Sequence, residues 1–240
     1  MRFFTSLTIL MYHKVDRIPP GVRHPGNYVL PEAFEAQLAA LRAWNYESVS
    51  FEQWLAYREG KGRIPRRPLI ITFDDGYRST YEIAWPALQR WGFSAMVFLV
   101  SDLIGKTNRW DADELQEPLL NEAEIRKMEA GGVSFGSHTK THAALTKLSR
   151  EQTSVELRQS RRALESLLGA RLTTLCYPYA KQNSVVRHLA RQAGYRVAVI
   201  GRGGTNRVWR DPFALRRIKI DTRMTIPRLR RTLARGRWLP

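Results

Sequence analysis

The chain reads as an α/β protein built on a parallel sheet or barrel, and three observations predict that class. Short apolar runs alternate with helical segments along 240 residues, which is the pattern of β-α-β units. The run Leu69–Phe73 is apolar at nearly every position, as expected of a strand covered on both faces. Two chemically rich segments, LIITFDDGY at 69–77 and VSFGSHTKTHAALT at 133–146, each begin with such a run. With 43% hydrophobic residues and seven Trp, the chain can bury one large core, most simply as a single domain spanning residues 1–240.

The elements follow in order. Leu7–Tyr12 is the first predicted strand. Pro31 opens a helix with Phe34, Leu38 and Leu41 on one face, at the position where a missing N–H costs nothing. Pro65, Pro68 and Gly76 bound the strand Leu69–Phe73. Ser79 with Glu82 has capping-box spacing, and Pro86 inside that helix predicts a kink or a restart. Ala95–Val100 is a strand, and Ser101 to Pro118 a polar loop long enough to serve a site. Asn121 with Glu124 starts a helix that Gly131-Gly132 stops, before the strand Val133–Gly136. Ser149 with Gln152 starts a long helix ending at Gly169. Leu172–Cys176, Tyr195–Ile200 and Ala214–Ile220 complete the strands.

One cysteine, Cys176, excludes an internal disulfide and any multi-cysteine metal site, and favours a reducing compartment. The N-terminal MRFFTSLTILMYHKV is interrupted by Thr5, Ser6 and Thr8, with Arg2 its single basic residue near the start. It makes a poor export signal, and no run reaches membrane-span length. The expected location is the cytoplasm or the cytoplasmic membrane face. The formal charge is +17, and between Arg202 and Arg237 twelve Lys or Arg face only Asp211 and Asp221. Such a tail is either a solvated basic helix or a surface for an anionic membrane or acidic glycan. No nucleic-acid-binding module is present, so no specific nucleic-acid partner is expected.

Asp74 and Asp75 touch at the C-terminal end of a predicted strand, where sites form in barrels and open sheets. Adjacent carboxylates there need a cation, a proton or a hydrogen-bond network, unless they lie in a solvated turn. His138 and His142 stand at i and i+4, a spacing at which one helical turn can direct both at a metal. Two histidines and one carboxylate make a site with open positions for water and substrate. One aspartate then binds the ion while its neighbour is free to act as a base.

TFDDGY followed by SHTKTH resembles the first two motifs of the polysaccharide deacetylases, carbohydrate esterase family four, also called the nodulation-factor deacetylase homology domain. LMYHKV, CYPYA, AGY and LRRI extend the likeness across nearly the whole chain, closest to the exopolysaccharide and poly-N-acetylglucosamine branch. The resemblance implies a distorted (β/α) barrel with fewer than eight full repeats. It also implies metal-dependent removal of N-acetyl groups from a glycan. Asp75, His138 and His142 would hold one divalent ion, Zn²⁺ before other transition metals. Asp74 would be the base, and Tyr179 would offer a backbone N–H to the oxyanion.

Two features depart from the family pattern. Cys176 stands where an arginine often orients the base; Arg217 can replace it, or lie in a surface or salt-bridge role. No histidine follows His188 to serve as the usual C-terminal acid, which leaves His13 in MYHKV, since His24 and His188 sit in solvated contexts. Trp110 and Asp111 in the long loop either line a sugar cleft or, for Trp110, pack in the core. The competing readings are a catalytically weak glycan-binding or assembly module and a basic polyanion-binding protein.

Overall fold

The computed structural model describes residues 6–201 and 203–235; the start of the N-terminal segment, Arg202 and Arg237 lie outside the described residues. Chain order begins β1 (Thr8–Tyr12), β2 (Lys14–Val15), β3 (Tyr28–Val29), α1 (Pro31–Ala43), β4 (Glu47–Ser48), α2 (Phe51–Arg58), β5 (Pro68–Phe73) and α3 (Trp85–Trp91). It continues with β6 (Ala95–Leu99), α4 (Glu122–Ala130), β7 (Ser134–Ser137), α5 (Arg150–Leu168) and β8 (Thr174–Cys176). α6 (Ser184–Gln192), β9 (Val197–Ile200), β10 (Leu215–Arg216), β11 (Ile218–Lys219) and α7 (Ile226–Arg235) complete it.

The main sheet runs β10-β9-β8-β7-β6-β5-β1-β11, with β4 added beside the start of β5, and every pairing in it is parallel. Its two ends are consecutive in the chain. Leu215 and Arg216 pair with β9, while Ile218 and Lys219 pair with β1. The predicted strand Ala214–Ile220 is therefore split at Arg217, and its halves join the two edges of the sheet into a distorted barrel. Seven staves close it instead of eight.

Side-chain parity sorts two apolar layers. Leu69, Ile71 and Phe73 of β5 join the outer layer under the helices, with Leu10, Phe34 and Leu88. Ile70 belongs to the interior, with Ile9, Met96, Phe98, Val197 and Val199. At Gly136 on β7 an added Cβ would meet the Phe98 ring at 2.7 Å, so the interior layer is filled from the neighbouring strand. Phe51, Trp54 and Leu55 of α2 join the interior cluster. This helix was not predicted from sequence, although it carries a complete capping box between Ser50 and Gln53.

The expected capping boxes at Asn121 and Ser149 form. The one expected at Ser79 does not, because Glu82 pairs with Arg78 at 3.2 Å and the Ser79 hydroxyl finds no partner. Instead a π-helical turn, Thr80–Ala84, leads into α3, which restarts at Trp85 with Pro86 in its first turn. Pro86 lacks an N–H and is tolerated only there. The 101–118 segment is a loop closed by bridges between Thr107 and Pro118 and between Tyr77 and Leu119. No described helix is long and apolar enough to cross a membrane.

Candidate active site

The parity that points Leu69, Ile71 and Phe73 outward turns Thr72 and Asp74 toward the barrel interior. Arg217, at the break between β10 and β11, meets Asp74 there. Its guanidinium donates to Asp74 Oδ1 at 2.6 Å and to Oδ2 at 2.7 Å, a bidentate fork. It also donates to Thr72 Oγ1 at 3.0 Å and to Cys176 Sγ at 3.1 Å. Arg217 is 2% exposed, which excludes the surface alternative read from sequence. Burial pushes the Asp74 carboxyl up, yet the Arg217 charge and hydrogen bonds outweigh it and hold the group below its ordinary value. Cys176 is fully buried, and burial pushes its thiol up, as expected of a packing residue rather than a nucleophile.

Asp75 leaves the strand in a left-handed conformation, φ 75°, followed by Gly76 at φ 77°. A Cβ on Gly76 would meet Leu99 Cδ2 at 2.9 Å, so the left-handed backbone favours glycine and any larger residue would have to displace the Leu99 side-chain tip. The reversal sends Asp75 toward His138 and His142, whose Nε2 atoms each stand 3.3 Å from the same oxygen, Oδ1. His138 to His142 is not the helical turn that i, i+4 spacing suggested. It is a loop in which Thr139 and His142 take positive φ, 67° and 66°. Glu156 on α5 shapes it, accepting the N–H groups of Lys140 and Thr141 at 2.9 and 3.0 Å and the Thr141 hydroxyl at 2.7 Å. Glu156 carried no sequence signal, because its partners lie fifteen or sixteen positions away.

These three residues fit a divalent cation. Two ligands about 2.0–2.1 Å from a tetrahedral ion stand about 3.4 Å apart, and the observed 3.3 Å separations match. Asp75 Oδ1 is buried yet accepts no aligned hydrogen bond, which is costly without a cation. His138 donates from Nδ1 to the Cys176 carbonyl at 2.9 Å, leaving the Nε2 lone pair aimed at that oxygen, the arrangement that orients metal-bound imidazoles. His142 Nδ1 lies 3.2 Å from the Tyr179 hydroxyl. The donor set, two nitrogens and one oxygen, suits Zn²⁺ and related transition ions.

A cavity of about 550 Å³ opens over the cluster, lined among others by His13, Asp74, Asp75, Tyr77, Trp110, His142, Tyr179 and Arg217. His13 Nε2 is 4.0 Å from Asp74 Oδ2. Burial pulls the His13 imidazole below its ordinary value, and the nearby charges of Asp75 and Asp74 recover only part of the shift. Trp110 is a cleft residue and not a core one: its ring stacks on His142 at 4.4 Å between centroids. Tyr179 takes φ 57°, with its ring edge-on to His142 at 4.7 Å. His188 is solvated on α6. His24 is exposed, but it sits at the rim of the cavity with Asp111, closer to the site than its sequence context suggested.

The geometry can be set beside known proteins. A family model described as Polysaccharide deacetylase matches residues 61–198. The poly-beta-1,6-N-acetyl-D-glucosamine N-deacetylase of Staphylococcus epidermidis is 29% identical over 196 residues, covering 74% of this chain and 66% of that protein. Its Staphylococcus aureus counterpart is 25% identical over 180 residues, 71% of this chain and 60% of its own length. The chain thus spans less than two thirds of these two relatives. Among solved structures, the deacetylase PplD of Streptococcus pyogenes superposes with a TM-score of 0.83 at 23% identity, covering 96% of this chain and 99% of that one. IcaB of Ammonifex degensii gives 0.82 at 21%, with 95% and 97% covered. These last two show a shared fold. The match over more than half of the chain, on a barrel with an Asp-His-His cluster at its C-terminal rim, places this protein in the polysaccharide deacetylase family.

Proposed function

We propose that the protein hydrolyses N-acetyl groups from an N-acetylated glycan, a bacterial exopolysaccharide or envelope polysaccharide precursor, with a divalent metal at Asp75, His138 and His142. The observation that carries this reading is the pair of imidazole nitrogens 3.3 Å from one buried Asp75 oxygen, beside a second carboxylate kept ionised by Arg217. The names of the staphylococcal relatives support the substrate class. A cation bound there supplies Lewis-acid activation of water and of the acetamide carbonyl.

The chain's own residues supply the rest. Asp74 takes a proton from the attacking water as its oxygen bonds to the carbonyl carbon. Arg217 holds Asp74 in the ionised form and in one orientation. The Tyr179 backbone N–H, offered by the left-handed turn, stabilises the developing oxyanion. His13, in the same cavity, delivers a proton to the sugar nitrogen as the C–N bond breaks, because an amine anion does not leave; it does so only once protonated, against the lowering effect of its burial. Acetate and a free amine result. A silent binding module of the same fold has no need of the bidentate Arg217 fork on a cavity-lining carboxylate, and this favours the enzyme.

Acetate release from a panel of N-acetylated oligosaccharides, measured with and without chelator and after Zn²⁺ is restored, tests the reading. Release that chelation abolishes and metal restores is expected; release indifferent to chelation, or absent from the whole panel, overturns it. We propose as well that Arg228, Arg230 and Arg231, exposed on α7, form a surface for anionic membrane or acidic glycan and place the protein at the cytoplasmic membrane face.

A further inference from the structure

Trp110 stacks on the candidate ligand His142, yet it belongs to a loop with no regular structure around it. The bridges that close the loop sit at its base, at Thr107–Pro118 and Tyr77–Leu119, so the stretch that carries Trp110 between them needs a further anchor. The anchor lies next to His13. Lys14 is 3% exposed, an unusual place for an ammonium group, and among the described residues its one carboxylate partner is Glu117, at the end of the loop. Pairing of β2 with β3 sets Lys14 opposite Tyr28. The Tyr28 hydroxyl accepts from Lys14 Nζ at 3.1 Å and donates to Glu117 Oε2 at 2.7 Å. The ammonium also sits 4.5 Å from the ring centre of Tyr28 and 4.3 Å from that of Tyr77, so both rings solvate it.

From Glu117 the order passes into the loop. Its N–H donates to Asn108 Oδ1 at 2.7 Å, and Asn108 Nδ2 donates to the Leu115 carbonyl at 3.0 Å; Asn108 is fully buried. The Tyr77 ring meets Trp110 edge-on at 6.4 Å. A continuous set of contacts thus runs from the buried ammonium through Glu117 and Tyr77 to the indole on His142. An apolar pair could hold the loop down, but a charged group with two hydrogen-bonded oxygen partners and two ring faces also fixes its direction.

We propose that Lys14 is a positioning residue: its buried pair with Glu117 holds the 101–118 loop so that Trp110 stays stacked on His142 as a preformed platform for the sugar ring carrying the acetamide. This rests on the deacetylase reading for the identity of the ligand, but not for the anchoring itself. The platform acts on substrate affinity, and neither Lys14 nor Trp110 is itself a proton-transfer group.

The test uses the full chain in four forms: parent, Lys14→Met, Trp110→Ala and the two combined. Without substrate, Lys14→Met should speed amide hydrogen exchange across residues 105–119 by about tenfold, the scale of one coupling between groups in contact, while the barrel strands keep parental protection. On an acetylated oligosaccharide, Lys14→Met and Trp110→Ala should each raise KM about tenfold with kcat changed less than about twofold. The combined form should be no worse than Trp110→Ala alone. Effects that multiply, or parental exchange in the loop of Lys14→Met, overturn the proposal. If Lys14→Met does not fold, Lys14→Met with Glu117→Met removes the charge pair without stranding a charge; it should fold and keep the raised KM, and a parental KM in it is equally fatal. If the parent itself releases no acetate, the deacetylase reading fails while the exchange measurement still decides the anchoring.

Discussion

Asp74 and Asp75 are chain neighbours with different surroundings because strand parity ends between them. Asp74 continues the inward alternation of β5 and meets Arg217; Asp75 turns at φ 75° and meets the two histidines. Thr139, His142, Tyr179 and Ala180 are also left-handed, each at a cost of about 1–3 kcal/mol that persists only where surrounding contacts enforce it. In the proposed mechanism the two aspartates separate cleanly by mutation. His138→Ala or Asp75→Ala should lose bound metal and acetate release together, measured by metal analysis and turnover on one preparation; full occupancy in either excludes the ligand set. Asp74→Asn should keep the metal and lose about 10²–10⁴-fold in kcat, the usual loss for one positioned base. A near-parental rate there assigns Asp74 to structure alone.

Elements set what single residues cannot. α5 reaches across to the histidine loop through Glu156, so Glu156→Ala should weaken metal affinity by about 10–100-fold, as outer-shell changes do. Competitive chelator titration reads this directly, and an unchanged affinity means that the loop holds itself. The rim loop around Arg23 and His24 is tied down by Glu114, which accepts both backbone N–H groups at 3.0 Å. Burial raises the Glu114 carboxyl, the three backbone donors outweigh it, and the net shift is below the ordinary 4.5. A depressed carboxyl stabilises the fold fully above its unfolded value and loses that contribution as pH falls through its folded value. Parent and Glu114→Gln should therefore differ in denaturant midpoint near neutrality and converge as pH falls through the depressed folded value of Glu114; a gap that persists in acid points to shape rather than charge.

On the scale of the whole molecule, closure of the barrel and the basic surface are separate matters. The 215–219 segment joins β9 to β1 and delivers Arg217 to Asp74 in the same step, so closing the barrel and forming this pair are one event. α7 buries Leu229 and Leu233 and leaves Arg228, Arg230 and Arg231 outside. Replacing those three by Gln should weaken sedimentation with anionic vesicles or retention on an acidic glycan, each Arg near an anionic surface being worth about 1 kcal/mol. Hydrolysis of a short neutral substrate should not change. Equal binding by mutant and parent returns the helix to a solvated face.

The sequence alone determined what is local. The apolar runs separated by capped helices, the Asp pair after β5 and the two histidines after β7 are short-range patterns, and each expresses chemistry carried within a few residues. Even there the i, i+4 spacing misled, since the histidines converge through a left-handed loop that Glu156 holds from another element. α2 went unpredicted although its capping box is local; what no local stretch shows is that its apolar residues fill the barrel interior, a surface that exists only once the strands have closed. Tertiary structure decided the partners: Arg217 for Asp74 across 143 positions, Lys14 for Glu117 across 103, His13 beside Asp74. In a parallel barrel the residues at one rim come from strand ends separated by whole β-α units. Their meeting depends on register and closure, which no local stretch of sequence encodes.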